Sequence, residues 1–242
     1  PVIAKNMLFV IDIGNTHTVA GVFSGDRLSH KWRVRTRPGA TVDELAVCYH
    51  NLFALAGLEL TAIDSAVIAS VVPQLDNTYS DCCTGLFPKL PGSRIFKVNS
   101  KNLSGIIAVL LDHPEEIGAD RLVNGIAAHR IYAGACIVID FGTAITFDCI
   151  TSTGDYLGGL ILPGLSLAVE ALARNTAKLP QIDLFTPPAG VIGTSTIEAM
   201  KSGVLHGYGA MIEGLIAKIS EEMSGRHQTP LSVVATGGMA PT

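Results

Sequence analysis

The chain has 242 residues and a mass of 25.4 kDa, with 17 basic and 21 acidic side chains and a net charge of −4. With 48% hydrophobic and 16% charged residues, it excludes intrinsic disorder and argues against a nucleic-acid binder working by bulk charge. No apolar run approaches the ~18 residues of a membrane span, and the longest, Ile106 to Leu111, is strand-sized.

The start of the chain, through Met7, shows no secretory signal. Cys48, Cys82, Cys83, Cys136 and Cys149 are odd in number, two are adjacent, and no CxxC occurs. That pattern points to reduced thiols in a cytoplasmic protein and away from a zinc site.

Met7 to Ile13 is a short apolar run that reads as a buried strand. His17 to Phe23 and Leu28 to Val34 follow as strands around the turn Ser24-Gly25-Asp26-Arg27, giving a three-stranded meander. Thr41-Val42-Asp43-Glu44 has the form of a capping box opening a helix that Gly57 closes. Ile63 to Ser70 is another buried strand, Pro73 suits the first turn of the next helix, and Arg94 to Val98 is a short strand. The first half thus reads β-β-β-α-β-α-β.

The second half opens on a helix from Ala119 to Tyr132, with Leu122 and Ile126, and Val123, Ala127 and Ile131, at spacing four. Strands are expected at Ala135 to Phe141, Ile145 to Thr151 and Tyr156 to Leu162. Helices should begin at Leu165 and Thr196, and a final strand runs from Leu231 to Thr236 into Gly237-Gly238. Trp32 is expected in the core.

The two halves echo each other. Asp12-Ile13-Gly14-Asn15-Thr16 matches Asp140-Phe141-Gly142-Thr143-Ala144 at an offset of 128, and Gly25-Asp26-Arg27-Leu28 matches Gly154-Asp155-Tyr156-Leu157 at 129. Two matched segments in one order on one strand–turn–strand pattern indicate internal duplication.

Chemistry concentrates at the turns. In Asp12-Ile13-Gly14-Asn15-Thr16-His17-Thr18 an aspartate ends a buried strand and a glycine follows two positions later. Backbone N–H groups of such a turn can wrap phosphate oxygens while the carboxylate holds a hydrated magnesium ion. An ordinary hairpin has the same composition. The copy at Asp140 favours phosphate, because two facing turns would clamp a polyphosphate. Ala235-Thr236-Gly237-Gly238 is a third piece, where paired glycines admit a base or ribose to the backbone.

Asp120, in Gly118-Ala119-Asp120-Arg121, is the candidate catalytic base. It lies in the first turn of a helix, where free N–H groups favour anions, beside an arginine suited to carboxylate or phosphate. A plain helix cap with an exposed arginine is the competing reading. Gly158-Gly159 and Pro163-Gly164 either admit a ligand or end their strand. Thr196 either caps its helix or contacts substrate. His17 lies beside phosphate or is a surface residue. His113 and His206 lack metal spacing, GxxxxGK[ST] is absent, and Asp140-Phe141-Gly142 has no kinase-type HRD loop with it.

Together Asp12-Ile-Gly-Asn-Thr16, Gly118-Ala-Asp-Arg121, Asp140-Phe-Gly-Thr-Ala144, Gly158-Gly159 with Pro163-Gly164, and Thr236-Gly-Gly238 resemble the type III pantothenate kinases. These belong to the acetate kinase, sugar kinase, heat-shock 70 and actin superfamily. The resemblance runs from Met7 to the end and implies an α/β fold of two ribonuclease-H-like domains, one β-β-β-α-β-α unit duplicated, with the active site in the cleft. The domains would span 1–117 and 118–242.

The implied activity is ATP-dependent phosphorylation of pantothenate, the first step of coenzyme A synthesis. Asp12, Ile13, Gly14, Asn15, Thr16, His17, Thr18 and Val19 would cradle ATP phosphates, with magnesium on Asp12 through water. Thr143 would contact ATP. Asp120 would accept the proton, and Gly118, Ala119, Arg121 and Thr196 would contact pantothenate with it. Asp140 would bind a monovalent cation, potassium or ammonium. The resemblance further implies a cytoplasmic homodimer without nucleic-acid or membrane partners. Leu111 departs from the family, which often has an aromatic residue there, and the family continues past the last motif whereas this sequence stops at Thr242. The rival readings are another small-molecule kinase of the superfamily and a non-enzymatic transcriptional accessory factor.

Overall fold

The structure, a computed structural model, describes residues 7–226 and 230–240. Pro1 to Asn6 and Thr242, on which the readings of the chain ends rest, lie outside the described residues. The chain divides into two units, Pro1–Ile106 with His113–Val123 and Ile107–Asp112 with Asn124–Thr242.

The first unit comprises β1 (Met7–Ile13), β2 (His17–Ser24), β3 (Arg27–Arg35), α1 (Val42–Leu55), β4 (Ile63–Ser70), α2 (Asp76–Leu86) and β5 (Ile95–Lys97). Its sheet has the order β3-β2-β1-β4-β5. The meander pairs antiparallel through short turns, whereas β4 returns after α1 and so pairs parallel with β1. Alternation along β1 buries Phe9, Ile11 and Ile13. The Phe9 ring lies 5.4 Å from Tyr49, 5.6 Å from Phe53 and 5.1 Å from Phe87, all at steep edge-on angles that suit aromatic quadrupoles. Trp32 packs on Phe53 at 5.2 Å, at the margin of this core. The capping box forms as read: Glu44 N donates to Thr41 Oγ1 at 3.3 Å and Thr41 N to Glu44 Oε2 at 2.8 Å.

Helix α3 (Ala119–Tyr132) opens in the first unit and continues in the second. The second unit then holds β6 (Ala135–Phe141), β7 (Ala144–Ile150), β8 (Tyr156–Pro163), α4 (Leu165–Asn175), α5 (Thr196–Gly225) and β9 (Leu231–Thr236). Its sheet order is β8-β7-β6-β9, with β9 parallel to β6 and the rest antiparallel. Ile137, Ile139, Ile145 and Phe147 face Leu165 and Val169 of α4 and Val204 and Met223 of α5. Each sheet is mixed, with a meander whose first strand gains a parallel neighbour after the helices.

The structure closes one reading that the sequence leaves open. Thr196 is not the cap of α5: Ser195 is, accepting from Glu198 N at 3.2 Å, because its extended backbone lets the hydroxyl reach back to the helix end. The apolar run 106–111 forms no strand of either sheet. It makes one parallel bridge, with Leu110 N donating to Tyr156 O and Tyr156 N to Ala108 O, both at 2.8 Å. All five cysteines are free, and burial pushes the Cys82 thiol up to about 12. No helix among the described residues is long and apolar enough to cross a membrane.

Candidate active site

At the end of β1, Asp12 stands between Val19 of β2 and Ala69 of β4. The turn that follows closes through Gly14 N donating to His17 O at 3.1 Å. Thr36 Oγ1 donates to Gly14 O at 2.7 Å and lies 2.9 Å from Thr18 Oγ1, to which Tyr79 OH donates at 3.3 Å. Burial pushes the Tyr79 phenol up, so it stays a donor. Ile13 and Thr18 are fully buried and brace the turn from beneath, so only their backbone can meet a ligand. Asp12, Asn15 and Thr16 are exposed. Arg33 Nη2 sits 3.0 Å from His17 Nδ1; a guanidinium only donates, so this ring nitrogen accepts.

The Gly118–Arg121 segment opens α3, with Leu122 N donating to Gly118 O at 3.3 Å. Asp120 is half-buried, and its Oδ1 accepts from Arg121 N at 2.8 Å. A β-carbon on Gly118 would fall 2.5 Å from that oxygen and 3.4 Å from Val71 Cγ1, so only glycine lets the carboxylate fold back over the helix start. Val71 N in turn donates to Ile13 O at 3.0 Å. Asp12–Ile13 and Gly118–Asp120, remote in sequence, therefore meet at Val71. A pocket of about 400 Å³ extends from Gly118 and Ala119 past Ser70 and Val71.

In the second unit β6 ends on Asp140-Phe141, and Gly142 N donates to Ala144 O at 3.0 Å. Asp140 Oδ2 accepts from Asn124 Nδ2 at 3.0 Å. Gly237, at φ +96°, packs so closely that a β-carbon would strike Asp140 Oδ1 and the Phe141 backbone. Gly164 N donates to Thr143 O at 3.0 Å, and a β-carbon there would collide with the Gly142 and Thr143 carbonyls. These two glycines thus admit protein backbone, not a ligand, whereas a β-carbon on Gly238 would meet nothing within 4 Å. Gly142, Thr143 and Thr196 are exposed. Leu111 Cδ2 lies 3.8 Å from the β-carbon position of Gly158.

A second pocket, of about 330 Å³, is lined by Val169, Glu170, Ile182, Asp183, Phe185 and Met239. Met239 N donates to Phe141 O at 3.2 Å, which sets this pocket beside the second turn. Lys201, buried on α5, donates to Asp183 Oδ2 at 3.0 Å, and that bond holds the Asp183 carboxyl below its ordinary range. Among the described residues no group of three or more His, Cys, Asp or Glu side chains could cage a metal ion.

Sequence reasoning missed Thr36, Val71 and Asn124. Asn124 lies one helical turn beyond Asp120, a spacing that could have flagged it. Thr36 and Val71 carry no local signal, since their partners are far away in sequence.

Residues 8–218 match the family described as type III pantothenate kinase. A type III pantothenate kinase of Desulfotalea psychrophila is 45% identical over 234 residues, covering 97% of this chain and 88% of that protein. One from Rhodospirillum rubrum is 45% identical over 235 residues, with 97% and 88% covered. Among solved structures, the ethanolamine utilization protein EutJ of Carboxydothermus hydrogenoformans aligns at a TM-score of 0.53 and 13% identity, over 97% of this chain and 77% of that one, a likeness of fold alone.

Proposed function

The chain belongs to the type III pantothenate kinase family, and we infer from its site how it carries out the ATP-dependent phosphorylation of pantothenate that opens coenzyme A synthesis. Asp120 is the proton acceptor. It takes the proton of the primary hydroxyl of pantothenate as that oxygen attacks the γ-phosphorus of ATP and ADP departs. The observation that carries this reading is the junction at Val71, where a turn fit for phosphate and a carboxylate at a helix start come together.

Asp12, Gly14, Asn15, Thr16, His17 and Val19 cradle ATP phosphates, with Ile13 and Thr18 contributing backbone. Thr143 contacts ATP from the second turn. Gly118, Ala119, Arg121 and Thr196 contact pantothenate, and the Arg121 fork pairs with its carboxylate. Asp12 would hold a hydrated magnesium ion and Asp140 a potassium or ammonium ion, which when bound offset phosphate charge. The exposed Asp12 carboxylate suits an ion that keeps its water, and the Asn124-braced Asp140 suits a weakly hydrated one.

The shared plan of the two sheets supports a duplicated ribonuclease-H-like fold, in domains 1–117 and 118–242. The protein works as a cytoplasmic homodimer without nucleic-acid or membrane partners, a reading that rests on its family and its five free thiols. A coupled assay with ATP and pantothenate, with and without potassium, tests the function. ADP release should require both substrates and rise with potassium. Release with a sugar or acetate but not with pantothenate would overturn it.

A further inference from the structure

We propose that Arg33 binds a phosphate of ATP at the first turn, with the His17 ring as the positioning residue that holds its guanidinium there. The proposal rests on this turn being the ATP phosphate site.

The turn between β1 and β2 offers a polyphosphate one carboxylate, Asp12, and backbone N–H groups, but residues 12–18 contain no lysine or arginine. A chain of phosphates is a multiple anion, and a guanidinium beside it makes charge-assisted, forked hydrogen bonds. The neighbouring strand β3 carries what the turn lacks. Residues 27–42 hold five basic side chains and no acidic one, in a chain whose net charge is −4.

Register and contact pick out Arg33 among the five. Asp12 stands opposite Val19, and Val19 opposite Arg33, so the three side chains leave the same face of the sheet in one row. Trp32, beside it on β3, turns the other way and packs on Phe53. Two strand spacings put the α-carbons of Asp12 and Arg33 about 10 Å apart, which leaves room for a phosphate group between carboxylate and guanidinium. Arg33 leans toward the turn, since its Nη2 lies 3.0 Å from Nδ1 of His17, the first residue of β2. That contact uses one of its five N–H donors, and the exposed fork keeps the others for a ligand. Among the described residues no carboxylate forms an ion pair with it. The Arg37 charge acts on Glu44, whose carboxyl the Thr41 hydrogen bonds and, less, Arg37 hold below its ordinary range. Lys31 stands opposite Gly21 and Arg27 opposite Ser24, in rows farther from the turn. Arg35 stands opposite His17 but, among the described residues, makes no side-chain hydrogen bond to the turn.

A charged residue on an edge strand also keeps other strands from pairing with it, and β3 is an edge. Titration calorimetry with magnesium-ATP, beside steady-state kinetics, separates the two roles in Arg33→Ala, Arg33→Lys, His17→Ala and Lys31→Ala. Arg33→Ala should weaken ATP binding and raise the KM for ATP about tenfold while the KM for pantothenate holds. Arg33→Lys keeps the charge without the fork and should recover part of the loss; it carries the test if the alanine variant does not fold. His17→Ala should lose less, and nothing further in the Arg33→Ala background, because the ring acts through the guanidinium. Lys31→Ala should bind ATP as the parent does. ATP binding by Arg33→Ala equal to the parent's, or a loss in Lys31→Ala as large as in Arg33→Ala, would overturn the proposal alone and leave Arg33 as the guard of an exposed edge. A His17→Ala loss that persists in full in the Arg33→Ala background would overturn the positioning by the ring. If Asp12→Ala also binds magnesium-ATP unchanged, the turn is not the phosphate site and the parent reading falls with this one.

Discussion

The turn after β1 and the turn after β6 share a motif but are held differently. The first is propped by side chains: Thr36 grips the Gly14 carbonyl and the buried Thr18–Tyr79 hydroxyls lie beneath. The second is wedged by backbone, with Gly164 against Gly142 and Thr143, and Gly237 against Asp140. Their aspartates differ accordingly. Asp12 is exposed, whereas Asp140 is half-buried and tied to Asn124. One strand–turn–strand pattern can thus present an exposed carboxylate and a half-buried one bound to an asparagine. Which of the two it presents is decided by residues outside the motif.

The comparison breaks most sharply at Asp12. Asp12→Ala should lower turnover by about 10²–10³, since one preorganised electrostatic group is removed from the transferring phosphate. Calorimetry should show lost binding of magnesium-ATP with pantothenate binding kept. Unchanged magnesium-ATP binding would move the ion elsewhere.

Gly237→Ala attacks the wedge. Its positive φ and the collision with Asp140 and Phe141 should cost about 3 kcal/mol of stability, read as the denaturant midpoint. A midpoint equal to the parent's would show that the second turn yields as readily as the first.

Asp140→Asn sharpens the contrast between the two carboxylates. Activity should fall about tenfold in potassium, and the advantage of potassium over sodium should vanish. A variant that still prefers potassium at matched ionic strength would make Asp140 a structural strand end. Thr36→Val should have the smallest effect, about 1 kcal/mol, because it removes a hydroxyl but leaves the apolar volume. Its KM for ATP should rise while that for pantothenate holds; a change confined to stability would make the hydroxyl network scaffolding only.

Much of the fold was legible because its signals are local. The Thr41–Glu44 box lies within four residues, and the capped helix appears where it was read. Strands β1, β4, β6 and β9 match their apolar runs residue for residue. Gly164 was left open between admitting a ligand and ending its strand, and Gly237 was assigned to a base or ribose; only the nearby Thr143, Asp140 and Phe141 atoms show that both pack against the chain itself.

The most direct measurement is turnover of Asp120→Asn with ATP and pantothenate, beside its circular dichroism spectrum. The amide keeps the size of the side chain and an acceptor oxygen for Arg121 N but cannot take the hydroxyl proton. The account predicts a native spectrum with turnover reduced by about 10²–10⁴. A folded variant with turnover near that of the parent would contradict it and leave Asp120 as a helix cap.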